Sequence, residues 1–159
     1  MTEDFTSRLN AILPRISSDE FLTSSGIGNE LAFYIFDYPP EHELQVREHI
    51  QFLLEQLPKL KPSLRVRHIN LFDLLIEHLK NRKLLERSLE MQKAKGDDKL
   101  LRSLRKGILT AEKIADVFTV AVQPNDTDLI LVSGVGSAWP FLRSHNLLNN
   151  LHSRMGQVP

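Results

Sequence analysis

The stretch Asp128–Leu151, DLILVSGVGSAWPFLRSHNLLNNL, constrains the fold more than any other part of the chain. Leu129, Ile130, Leu131 and Val132 form an unbroken apolar run. A strand with no polar alternation is one covered on both faces, as in a parallel sheet. The run ends in Ser133-Gly134-Val135-Gly136, a Gly-rich turn, and Pro140 suits the first position of the helix that follows. In open α/β sheets such strand-to-helix turns lie at the carboxyl edge, where ligands and partners bind. The segment predicts an α/β class and names the edge to search.

The rest of the chain is read against that strand. Phe5, Leu9, Ile12 and Leu13 predict a helix running to Pro14, and Ser18–Leu22 a helical turn. Gly26–Asn29 reads as a loop. Leu31–Phe36 is β-rich and apolar on both faces, which predicts a central strand ended by Asp37-Tyr38-Pro39-Pro40. A helix is expected from Glu41 to Leu57, a strand over Arg65–Asn70, and a long helix over Phe72–Gln92. Lys95–Asp98 breaks the pattern before a basic helix to Lys106. Thr110 is a candidate N-cap, and Ile114, Val117, Phe118 and Ala121 make one apolar face. Three strands joined by helices predict a Rossmann-like three-layer α/β/α fold, with a mostly parallel sheet and a helical insertion at 82–106.

A length of 159 residues suits one domain, so 1–159 is read as a single α/β domain. It ends just after a helix, where the alternating pattern calls for another strand. It is therefore read as the N-terminal part of a longer protein. The absence of cysteine removes disulfides, thiolate metal sites and a Cys nucleophile, and fits a reducing, cytoplasmic setting. No apolar run approaches the roughly 18 residues that span a membrane. The formal net charge of +0 conceals an asymmetry: residues 82–106 carry nine basic and four acidic side chains, a net +5. Such a segment concerns partners more than the total charge does.

No complete catalytic motif is present. Gly134-Val135-Gly136 lacks the third glycine of a dinucleotide fingerprint, whose place holds Trp139. It also lacks the lysine of a P-loop. The six histidines include no HExxH pair, and Ser133 and Ser137 lack the Gly-x-Ser-x-Gly frame. No cofactor, no metal and no catalytic residue is therefore assigned. Asp37 and Asp73, after the first two expected strands, join Arg143 and His145 as the best polar cluster available; caps and surface ion pairs are the plainer account of them. Trp139 is either a core residue or an exposed anchor for a partner. Arg102, Arg105 and Lys106 represent the basic segment, which suits phosphates or an acidic protein, or simply a solvated face. Its lack of aromatics argues against stacking on single-stranded bases.

Several segments together resemble one family. They are Ile12–Ile16 (ILPRI), Gly26–Glu30 (GIGNE), Phe33–Pro40 (FYIFDYPP), Val46–Ile50 (VREHI), Gly134–Gly136, and Trp139–Asn150 (WPFLRSHNLLNN). In register, they resemble the BrxB family of bacterial BREX phage-exclusion systems, whose members look longer than this chain. The resemblance implies a cytoplasmic component of an antiviral operon. Such systems methylate host DNA and block replication of unmodified phage DNA, and they include a methyltransferase, a PglZ-type protein and a large ATPase. It brings no catalytic residues with it. The expectation is a non-catalytic assembly protein that docks other BREX proteins, the PglZ-type protein first. The alternatives are a degenerate nucleotide-binding or nuclease-like domain using Asp37 and Asp73, and a DNA-contacting subunit using residues 82–106.

Overall fold

Leucines at helical spacing, rather than alternating strands, organise most of this chain. The computed structural model describes residues 4–23 and 32–159. The expected Gly26–Asn29 loop and Leu31, expected to open the first strand, lie outside the described residues. The chain divides into two units, the first drawn from residues 1–66, 126–129 and 157–159, the second from residues 67–125 and 130–156.

In the first unit, α1 (Phe5–Asn10) and α2 (Ile12–Ile16) replace the single expected helix, and α3 (Asp19–Thr23) forms where a helical turn is expected. A 3-10 turn at Pro40–His42 leads into α4 (Glu43–Leu60), which buries Val46, Leu53 and Leu57 at i, i+7 and i+11. Between α3 and that turn, residues 32–39 are extended but belong to no sheet. The expected central strand Leu31–Phe36 is therefore overturned for its described part. Its aromatic rings pack on helices instead: Tyr34 lies 4.5 Å from Phe21 and Phe36 lies 6.3 Å from Phe5, between ring centroids. Ile35, which a central strand would bury, is 80% exposed. Aromatic and β-branched residues favour any extended, half-buried backbone, and the propensity does not require a hydrogen-bonded ladder.

β1 (Val66–Asn70) and β2 (Leu129–Ser133), which belong to the second unit from Arg67 and Ile130 onward, pair in parallel, and these two strands are the whole sheet among the described residues. Four helices connect them: α5 (Leu71–Asn81), α6 (Leu85–Lys95), α7 (Asp97–Lys106) and α8 (Ala111–Val122). Beyond β2 come the short α9 (Val135–Ala138) and then α10 (Ser144–Met155). A Rossmann-like three-layer α/β/α fold does not form, because most of the length goes into helices packed on one another. Helix α8 packs against α10 and α6 against α7. The core of α8 is Ile114, Phe118 and Val122, each essentially inaccessible and each stabilising by roughly 1.5–3 kcal/mol through burial. Thr110 caps α8 as expected, its hydroxyl accepting the Lys113 N–H.

The long helix expected over Phe72–Gln92 is broken at Lys83, which takes φ +56. The Leu84 N–H donates to the Leu79 carbonyl and the Lys83 N–H to the Lys80 carbonyl, both at 2.8 Å. This double closure ends a helix by turning one residue left-handed. Glycine usually supplies that residue, and with lysine in its place the sequence carries no stop signal.

Candidate functional site

The sheet carries a hydrogen-bonded histidine–serine pair, His68 at the middle of β1 and Ser133 at the carboxyl end of β2. Nε2 of His68 lies 2.8 Å from Oγ of Ser133, tying the two strands together. Burial pushes the His68 imidazole below its usual pKa, while the Asp73 carboxylate pulls it the other way. No hydrogen bond joins Asp73 to His68. Among the described residues the serine and histidine thus lack the third, orienting member of a nucleophilic triad. Neither His68 nor Ser133 stands out in the sequence as a pair. Their common feature is a polar side chain within a strand, and only the register of the sheet brings them together.

Next to this tie, Gly134 takes φ +68, the left-handed region that favours glycine. The space its side chain would fill is occupied by Asn70, whose Oδ1 accepts the Asp73 N–H and caps α5. The turn that invites a phosphate reading is therefore closed by a protein amide, and the helix it opens is four residues long. Gly136 is helical with free space around it, so only the first glycine of the pair is structurally demanded.

Asp37 belongs to the first unit, where its exposed carboxylate meets Arg8 at 3.0 Å. Arg8 also donates to the Asp37 carbonyl at 2.9 Å and lies 5.0 Å from the centre of the Phe36 ring. Asp73, Trp139, Arg143, His145 and the basic segment belong to the second unit. No hydrogen bond or ion pair links Asp73, Arg143 and His145 among the described residues. Trp139 is 67% exposed, held outward between the buried Ala138 and Leu142. Val132 and Val135 are also exposed on β2 and α9. Eight of the nine basic residues of the 82–106 segment are exposed, and Arg105 is half-exposed.

In the first unit, Tyr38 donates to Glu43 at 2.8 Å, and burial with that hydrogen bond pushes the Tyr38 pKa up to about 12. Arg47 and Tyr38 in turn hold Glu43 below the usual carboxylate range. A shallow groove of about 320 Å³ runs between α1 and α4, lined by Phe5, Leu9, Gln45, Glu48, His49 and Phe52 among others. It contains none of the candidate site residues Asp37, Asp73, Trp139, Arg143, His145, Arg102, Arg105 and Lys106. Among the described residues no three His, Asp or Glu side chains converge as a metal cage would need, and no helix is long and apolar enough to cross a membrane.

Comparison with known proteins adds an independent line. The family model described as "BREX protein BrxB" matches residues 67–159. A protein described as BREX protein BrxB from Bacillus cereus (strain H3081.97) is 41% identical over 155 residues, covering 96% of this chain and 79% of that protein. Another so described, from Escherichia coli O9:H4 (strain HS), is 40% identical over 152 residues, covering 96% of this chain and 74% of that protein. No solved structure matches. The matched region takes in the strand ends, the basic segment and Trp139, and it leaves out Asp37.

Proposed function

The chain belongs to the BrxB family of BREX proteins, and we propose that it is a non-catalytic assembly component of a BREX anti-phage defence complex. It works in the cytoplasm, where it docks other BREX proteins, the PglZ-type protein foremost. The observation that carries this reading is Trp139. Trp139 is 67% exposed just after α9, and Val132 on β2 and Val135 on α9 are exposed as well. Tryptophan is the residue most enriched at the energetic centres of protein interfaces. The reading is supported at the strand ends, where Asn70 fills the Gly134 turn and no hydrogen bond joins Asp73 to His68.

Co-purification with each BREX protein tests the reading. The PglZ-type protein is expected to come down with the wild type and to be lost with Trp139→Ala, whose melting temperature stays unchanged. If no BREX protein is retained by the wild type, the assembly role fails. A second reading rests on a different surface: the cations of residues 82–106 favour contact with DNA.

A further inference from the structure

We propose that the α6–α7 hairpin binds the phosphate backbone of duplex DNA, without sequence preference, through Lys99, Arg102 and Lys106. This gives the DNA-contact reading its chemistry and does not depend on the docking of protein partners. The three residues are exposed and recur at i, i+3 and i+7 of α7, on the side opposite the buried Leu100 and Leu104. That stripe spans roughly 10 Å of helix, the axial length over which one DNA strand carries about three phosphates.

Internal uses of these charges do not account for them. None of the nine cations of residues 82–106, seven of which stand on the hairpin, makes an ion pair or a side-chain hydrogen bond among the described residues. Glu86 and Glu90, the two acidic residues of α6, take none of them among the described residues. The helix dipole explains Arg105 and Lys106 in the last turn of α7 and Asp97 and Asp98 in its first. It works against Lys99, which stands in that first turn beside the positive end. A cation kept there, exposed and unpaired, serves something outside the fold.

The partner's class follows from what the hairpin lacks. Protein interfaces are built around apolar and aromatic anchors with charge pushed to the rim. Residues 82–106 contain no aromatic side chain, and Leu89 is their one exposed large apolar residue. Single-stranded nucleic acid is held largely by stacking on aromatics, which are missing here. A cationic stripe without anchors suits a regular phosphate array.

The test uses the whole chain, a fluorescent duplex of arbitrary sequence, a single strand of the same length, and a poly-glutamate peptide. Anisotropy is read at several salt concentrations. The wild type is expected to bind the duplex with an affinity that falls steeply with salt. The variant Lys99→Gln, Arg102→Gln, Lys106→Gln should melt like the wild type, still retain the PglZ-type protein, and lose about 0.9 of the log–log salt slope per cation removed. No duplex binding by the wild type at low salt overturns the proposal. So does equal binding by the variant, or a preference for poly-glutamate over the duplex, or loss of the protein partner with DNA binding intact. A variant that melts early is replaced by the single substitution Arg102→Gln, which should lose about a third of that slope change.

Discussion

Asn70 occupies the space that a side chain on Gly134 would need: a Cβ there would stand 2.2 Å from Asn70 Oδ1. The same Oδ1 accepts the Asp73 N–H that opens α5. One glycine thus allows a strand-end turn and a helix cap to share one place. Gly134→Ala is expected to destabilise by roughly 2 kcal/mol, about half from the left-handed backbone and half from the displaced cap. Gly136→Ala is expected to be neutral or mildly stabilising, since a helical glycine with free space gains from a methyl group. Thermal melting of the two variants side by side checks this. Equal effects at the two positions would show that the close approach does not matter.

Lys83 ends α5 with φ +56, at a position where other helices place glycine. The left-handed conformation costs a side-chain-bearing residue on the order of 1 kcal/mol. Lys83→Gly should therefore raise stability by up to about 1 kcal/mol, less the entropy glycine loses on folding. Lys83→Val should lower it, because a β-branched residue is still less tolerant there. Chemical denaturation of both variants gives the sign. A glycine variant that melts earlier than the wild type would mean that the turn draws its stability from the lysine itself.

Much of the helical part of this fold was legible from residue spacing, because amphipathic helices write their buried face into the sequence every three or four residues. Thr110 capping α8 and the Ile114–Phe118 face are of that kind. The strands β1 and β2 were also legible, within a residue or two. The sheet was not. Leu31–Phe36 carries every local mark of a strand, yet its described residues pack their rings on α1 and α3, and pairing is a long-range property that no local pattern records. Taking that segment as a strand turned two strands into three and a helical fold into a Rossmann-like one. The break at Lys83 escaped for a related reason, since a lysine in a glycine's place leaves no signal. At the strand ends, the Gly134 turn was visible and its occupation by Asn70 was not. The His68–Ser133 pair lies 65 residues apart and exists only once the sheet is in register.

Arg65 and Asp128 face each other at the entrance to the two strands. One carboxylate oxygen accepts the Arg65 backbone N–H at 2.8 Å and its Nε at 3.0 Å, and the other accepts Nη2 at 2.8 Å. Those hydrogen bonds hold Asp128 below the usual carboxylate range. Its contribution is present above the unfolded value near 3.9 and is lost as pH falls through the lower folded value. Arg65 is exposed and Asp128 half-buried, so water screens the pair and Asp128→Ala should cost only about 1 kcal/mol. Between roughly pH 4 and pH 2 the variant should lose less stability than the wild type. Parallel acid-melting curves in that window would refute the pairing's role.

Three histidines predict the acid behaviour at milder pH. Burial is the first cause holding His49, His68 and His78 below the ordinary histidine value. At His78, Arg82 and Lys113 push further down, and at His68 the Asp73 carboxylate opposes the shift. A depressed histidine is neutral in both states at high pH. As pH falls through the unfolded value near 6.5, the unfolded chain takes up protons first, and stability drops until the folded imidazole follows. Each fully shifted histidine contributes a slope of at most about 1.4 kcal/mol per pH unit. The protein should therefore be most stable above about pH 7 and lose stability between roughly pH 6.5 and pH 5. His68→Gln, whose amide reaches the place of Nε2 and can still hydrogen-bond Ser133, should flatten that slope while costing little at pH 7.5. Imidazole resonances of the folded protein followed by NMR should show His49, His68 and His78 titrating below 6.5. A melting temperature that rises on acidification would sink the argument, because no group with a depressed folded value can stabilise the fold as protons are added.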